Sequence, residues 1–171
     1  MQSLIDRVIR ASKLDVHLYE EVEADTGLTG QAMWVVVLSS VAAGIGSIAT
    51  VGIAGIVTGT IFALAGWFIW AYLTYFIGTR ILPEPQTETN LGELLRTIGF
   101  SSSPGLIRIL GIIPGLAWVV FTAASIWMLV AMVIAVRQAL DYHSTWRAVG
   151  VCTIGWLIQL LFFMLLFSLF R

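Results

Sequence analysis

The chain has 171 residues, a net charge of −1 at pH 7, 58% hydrophobic residues and only 11% charged residues. This composition excludes a soluble domain, in which about a quarter of the residues are charged, and a nucleic-acid-binding protein, which needs a dense basic patch. Three stretches lack Asp, Glu, Lys, Arg and His, namely 26–79, 109–136 and 148–170. Because one helical crossing of a bilayer takes about 20 apolar residues, the sequence predicts an all-α integral membrane protein.

The first element is an amphipathic helix over 1–25, in which apolar and charged residues recur with a period of 3.6. Its apolar side comprises Leu4, Val8, Ala11, Leu14, Leu18 and Val22. We expect this helix to lie in the membrane interface, with its apolar side toward lipid or toward the bundle. The sequence thus divides into an interfacial helix with an acidic segment over 1–28 and a transmembrane bundle over 29–171.

Five apolar segments follow, and together they predict five transmembrane helices. Their predicted ranges are 30–51, 56–82, 91–113, 115–140 and 146–170. A glycine-rich turn at 52–55 joins the first two, and the polar loop 83–90 follows the second, because the residue before Pro83 disfavours the helical region. The third segment is broken at 101–105, where three serines precede Pro104 and Gly105.

The distribution of Lys and Arg places the N-terminus on the inner side of the membrane. With five crossings, seven of these cations lie inside and only Arg108 and Arg171 lie outside. If the segment 91–113 enters and leaves on the same side, four crossings remain and the count is again seven against two. The charges alone therefore leave four and five crossings open.

Small residues spaced by four predict where the first two crossings pack. The predicted helix-packing face comprises Ser39, Ala43, Ser47, Gly55, Gly59 and Ala63. Small side chains let helix backbones approach closely within a membrane. This face serves either to pack the hairpin of the first two crossings or to form a dimer, and the pattern alone does not separate the two.

The broken third segment predicts a binding site for an anion or a lipid headgroup. Its residues are Arg96, Ser101, Ser102, Ser103, Gly105 and Arg108. We expect Ser103 to cap a half-helix that begins at Pro104, because helix N-termini attract anions and broken helices mark binding sites in transporters. We also expect Glu93 and Arg96 to pair on one helix face. The alternative is a kinked helix whose serines satisfy the freed backbone groups.

An acidic run predicts a surface for a cation or a basic partner, or else a solvated segment. It comprises Tyr19, Glu20, Glu21, Glu23 and Asp25. The sequence shows no catalytic residues, since it lacks a nucleophile–base pair and a phosphate loop. It also shows no metal ligands and no cofactor site, since the two histidines have no partner at metal-ligand spacing.

Several motifs, in their order along the chain, resemble the Yip domain family of Ypt/Rab-interacting membrane proteins, specifically its short prokaryotic members. These motifs lie at 18–23, 30–32, 78–79, 92–100, 104–105, 113–115, 137–141 and 155–157. The resemblance implies five crossings with a cytoplasmic N-terminus, and thus decides between the two charge patterns. It also implies association between members, since eukaryotic members act with small GTPases in vesicle traffic and membrane shaping and bind one another.

The sequence therefore predicts a non-enzymatic protein of the bacterial plasma membrane that organises or shapes the bilayer through helix packing and association with itself or another membrane protein. Its expected partners are the lipid bilayer, a membrane protein or a second copy, and a lipid headgroup. Two alternatives remain: an accessory subunit of a larger membrane complex, and a small solute or lipid transporter that uses the broken third helix.

Overall fold

The computed structural model describes residues 3–169, and the side chains at 162, 163 and 165–169 lie outside the described residues. This part of the chain is helical, without strands. It begins with two short helices, α1 (Leu4–Ser12) and α2 (Val16–Ala24). The single helix predicted over 1–25 is therefore two helices. Leu14 takes a left-handed conformation with φ 62°, and the Asp15 side chain accepts a hydrogen bond from the backbone N–H of His17 at 3.1 Å, which starts a new helix.

A short 3₁₀ turn, Thr26–Leu28, leads into a hairpin of two long helices, α3 (Thr29–Gly46) and α4 (Ile48–Phe76). A π-helical turn, Ile77–Ile81, continues α4. Ser40 donates to Thr60 Oγ1 at 2.8 Å, and a Cβ at Gly44 would lie 2.8 Å from Ile56 Cγ1. Residue 50 lies midway between the two members of each pair, so the chain reverses direction near it. The predicted turn at 52–55 begins two residues later. Gly52, with φ 65° and ψ −177°, supplies the non-helical residue at this reversal.

The third apolar segment is broken, as the sequence predicted. Helix α5 (Leu91–Ser101) begins with a capping box between Asn90 and Glu93 and is followed by a 3₁₀ segment, Ser103–Ile112. The predicted cap at Ser103 is wrong, because its hydroxyl donates to the carbonyl oxygen of Phe100 at 2.7 Å. The break is therefore a change of helix type at Ser102 rather than a new α-helix.

Two further helices complete the bundle, α6 (Ala117–Ala139) and α7 (Thr145–Leu169). By length and composition, three helical stretches of the described chain are able to cross a membrane: Thr26–Gly46, Ile48–Ile81 and Ala117–Ala139. The part of α7 whose side chains are described adds a further apolar stretch, Thr145–Leu161. The arrangement with five crossings thus stays a prediction.

Helix α5 lies at the centre of the packing, and all its residues from Arg96 to Ser101 are buried. One core cluster joins Leu94 and Ile98 to residues of α4, α6 and α7. A second cluster joins Phe100 to the N-terminal helices, through Leu18, Tyr19 and Val22. The apolar side of α1 and α2 therefore faces the bundle. Where the alternative is water, burial of each such large side chain contributes about 1.5–3 kcal/mol.

Candidate functional site

The N-terminal helices are fastened to the bundle by Arg96, which is only 3% exposed. Its Nε donates to the carbonyl oxygen of Val22 at 2.7 Å, and its Nη2 donates to the carbonyl oxygen of Glu23. Both carbonyls belong to the last turn of α2, where helical carbonyls lack intrahelical partners. A cation is also favoured there by the helix dipole. Arg96 therefore acts as a side-chain cap for a helix that lies more than 70 residues earlier in the chain.

Carboxylates from separate segments surround this junction. Burial, together with the negative charges of Asp141 and Glu93, raises the pKa of the Glu23 carboxyl to about 7. Burial also raises the pKa of the Asp141 carboxyl. Because burial and, to a smaller extent, the nearby negative charges disfavour the ionised form, Glu23 titrates near neutral pH. The junction is therefore sensitive to protonation.

Further contacts hold the two helices in place along the bundle. Gln138 donates to Glu20 Oε1 at 3.1 Å, and the Trp127 indole donates to the carbonyl oxygen of Ser12 at 2.8 Å. Arg7 links the helix pair to α3 through Gln31, at 3.1 Å. Three stretches that carry the resemblance, 18–23, 92–100 and 137–141, therefore meet at one junction. We define it as the docking junction, comprising Glu20, Glu23, Glu93, Arg96, Gln138 and Asp141.

The residues of the predicted anion site are divided among different surroundings. Arg96 is occupied by α2, and Ser101 donates to the carbonyl oxygen of Ile98 at 2.7 Å. A Cβ at Gly105 would lie 2.1 Å from Ser39 Oγ, so this glycine allows a close helix contact. Ser102 and Arg108 line a cavity between the helices. The predicted pair of Glu93 and Arg96 is wrong. Glu93 forms a capping box with Asn90, and Arg96 caps the end of α2.

The predicted helix-packing face is used only in part within the molecule. Ser39 is buried, and the Ser47 hydroxyl donates to the carbonyl oxygen of Ala43 at 2.8 Å. Ala63 lines the cavity. A Cβ at Gly55 would meet Val51 of the preceding turn, whereas a Cβ at Gly59 would meet nothing within 4 Å. The α3 half of the face therefore packs internally, and Gly59 lies on an open surface.

The predicted partner surface is likewise mixed. Tyr19 is fully buried, and its hydroxyl donates to the carbonyl oxygen of Ala11 at 3.5 Å. Glu21 pairs with Arg7 at 3.1 Å and Arg10 at 2.7 Å. Asp25 accepts from the backbone N–H of Gly27 at 2.9 Å. Glu20 is the exposed member of this run that also contacts the bundle.

Sequence reasoning missed the role of Tyr142. Its hydroxyl contacts the carbonyl oxygens of Gly78 and Leu82 at 3.0 and 2.7 Å, where it is able to donate to either. Nearby, Arg147 forms an ion pair with Glu84 at 3.3 Å. These contacts fasten the end of α4 to the α6–α7 loop. A lone tyrosine in a loop gives no periodic signal, so its partners were not predictable from spacing.

A comparison with protein-family models matches residues 18–167 to the Yip1 domain. The match includes most of α2, the docking junction and most of α7. Comparisons with curated proteins and with solved structures found no match to this chain.

Proposed function

Because the chain belongs to the Yip1 domain family, we propose that it is a non-enzymatic, multi-pass membrane protein that organises or shapes the bilayer by association with a second copy of itself. We place it in the bacterial plasma membrane with a cytoplasmic N-terminus, following the excess of Lys and Arg on that side. The single observation that carries this proposal is the open position of Gly59 on α4, where a Cβ would meet nothing within 4 Å.

In the most apolar stretch of α4, none of the residues is fully buried within the molecule. This helix nevertheless carries Gly55 and Gly59 at helical spacing, whereas the next small residue of the row, Ala63, lines the cavity. A Cβ at Gly59 would meet open space, so packing within the chain gives no reason for a glycine there. In membranes, small residues at this spacing favour close contact between helices. A contact between two copies of α4 accounts for both features.

This proposal is tested by energy transfer between donor- and acceptor-labelled copies in liposomes. We expect Gly59→Ile to reduce the transfer, because the added side chain separates the helix backbones. Ala65→Ile is the matched control, since Ala65 is also exposed on α4 but lies on a different side of the helix. Equal transfer for wild type and Gly59→Ile would contradict association through this face.

The same preparation discriminates the alternatives. An accessory subunit would co-purify with a fixed partner at constant stoichiometry in mild detergent. A solute or lipid transporter would give substrate-dependent flux in liposomes that contain only this protein. Association through α4 requires neither result.

A further inference from the structure

A large cavity opens between the two halves of the bundle. It has a volume of about 1060 Å³ and is lined by residues of α3, α4, α5, α6 and α7 and of the 3₁₀ segment. This volume slightly exceeds the usual range for ligand pockets, about 300–1,000 Å³. The lining is mainly apolar, with a few polar groups such as Ser40 and Gln159 and one charged residue, Arg108.

Two hydrogen-bond donors in this lining lack acceptors. Among the residues that the structure describes, the buried side-chain nitrogen and oxygen atoms without a partner are Nε1 of Trp70 and Nε of Arg108. Both residues line the cavity. A buried donor without an acceptor costs about 1–3 kcal/mol, so an acceptor oxygen bound beside Arg108 would stabilise this part of the lining.

The guanidinium of Arg108 is oriented but not neutralised. Nη2 donates to Ser125 Oγ at 3.0 Å, and the guanidinium carbon lies 5.6 Å from the centre of the Phe121 ring. Within residues 3–169, none of the ion pairs involves Arg108. A guanidinium has five N–H donors and suits phosphate oxygens particularly well. The missing partner is therefore an anion.

The cavity is accessible from the side of the bundle. Ile126, Leu129 and Leu157 belong to its lining and are more than half exposed, so they form a rim between α6 and α7. In a membrane, this opening faces acyl chains. An occupant that enters there has both an apolar part for the lining and an anionic part for Arg108.

We propose that this cavity binds a phospholipid with an anionic headgroup. Its phosphate accepts from Arg108, and an acyl chain fills the apolar lining between α4 and α6. A soluble anion satisfies only the first of these, and a hydrophobic helix of a partner protein satisfies only the last. The proposal goes beyond association through α4 and does not depend on it.

The test measures lipid retention by the full chain in nanodiscs that contain equal amounts of phosphatidylglycerol and phosphatidylcholine with identical acyl chains. Native mass spectrometry then counts each lipid on the released protein. We expect wild type to retain phosphatidylglycerol preferentially. Arg108→Gln should lower that preference about tenfold, the effect of one lost charge-assisted hydrogen-bond pair. Arg80→Gln is the control, because it removes the same charge from an exposed position outside the cavity.

A second pair of variants tests the apolar part of the site. A Cβ at Gly66 meets nothing within 4 Å, and Gly66 lines the cavity. Gly66→Leu therefore fills the site and should abolish lipid retention, while Ala65→Leu, at the neighbouring exposed position outside the lining, should not.

The proposal would be overturned by unchanged selectivity in Arg108→Gln, by equal retention in Gly66→Leu and Ala65→Leu, or by a protein rather than a lipid bound at stoichiometric amounts. If inorganic phosphate displaced phosphatidylglycerol from the wild-type protein, the result would also overturn the proposal, because the site would then bind a soluble anion. Thermal unfolding of each variant in detergent identifies any that fails to fold. If Arg108→Gln does not fold, Arg108→Lys replaces it, and we expect a selectivity between that of wild type and none; selectivity equal to wild type would contradict the proposal.

Discussion

The guanidinium of Arg96 donates to the carbonyl oxygen of Val22 across 74 residues of sequence, at 2.7 Å. This bond caps the last turn of α2 from the centre of the bundle. It makes the N-terminal helices a part of the core rather than a separate layer on the membrane. A substitution at Arg96 should therefore weaken the docking of the N-terminal helices without deleting them.

Arg96→Ala should release α2 from α5. The substitution leaves two carbonyls of α2 without a donor in a buried setting, which costs about 1–3 kcal/mol. We expect faster proteolysis and faster hydrogen exchange over 4–24, with little change in α6. Arg80→Ala serves as the control, since Arg80 is exposed. Unchanged exchange over α2 in Arg96→Ala would show that the cap does not hold the helix.

Docking of α2 should weaken as the pH rises. The pKa of Glu23 is about 7 in the folded protein, above its ordinary value of 4.5, so the folded state binds more protons between these values. The stabilisation is complete below about pH 4.5 and is lost as the pH rises through 7. Hydrogen exchange of α2 between pH 5 and 8.5, corrected for the intrinsic rate, measures the effect.

Glu23→Gln should remove that pH dependence, because the amide stays neutral throughout the range. Asp6→Asn is the control, since it removes one negative charge from an exposed residue outside the docking junction. A pH dependence that persists unchanged in Glu23→Gln would assign the titration to another group.

Gly46→Ala should destabilise the contact between α3 and the 3₁₀ segment. An added Cβ would lie 1.9 Å from the carbonyl oxygen of Arg108, which is backbone and has no rotamer to change. Overpacking of this kind typically costs about 1–3 kcal/mol. Thermal unfolding in detergent should show a lower midpoint. Gly30→Ala, where the Cβ meets open space, should be neutral or slightly stabilising, and equal midpoints for the two variants would refute the close approach.

Tyr142→Phe should loosen the end of α4. The change removes a hydroxyl that contacts the carbonyl oxygens of Gly78 and Leu82 and leaves the ring in place. We expect a loss of about 1–3 kcal/mol in the free energy of unfolding and faster exchange over the π-helical turn. Tyr72→Phe is the matched control, because Tyr72 is 55% exposed. Equal stability of both variants would contradict this role.

Local patterns predicted several elements from the sequence. Charge-free runs identified the long apolar helices, because the requirement for apolar residues in a membrane is local. Three serines before Pro104 identified the break after α5. The amphipathic pattern of 1–25 identified buried positions such as Leu18 and Val22, although not the reversal at Leu14, which depends on one left-handed residue.

The docking junction was beyond such patterns. Glu93 and Arg96 are three residues apart, so spacing favoured a pair between them. In the structure, Glu93 instead forms the capping box at the start of α5, and Arg96 donates to a carbonyl oxygen at the end of α2. Both side chains thus bind backbone groups at helix ends that have no partner within their own helix. The bond between Trp127 and Ser12 likewise joins residues far apart in sequence. Contacts of this kind follow from the tertiary arrangement and not from periodicity.

Disulfide crosslinking in native membranes tests association through α4 most directly. The chain has a single cysteine, the buried Cys152, so a Cys152→Ala background leaves no competing thiol. In that background, Gly59→Cys should give covalent dimers on mild oxidation, and Ala65→Cys should give few. A lack of dimers at Gly59→Cys, or equal crosslinking at both positions, would contradict the account.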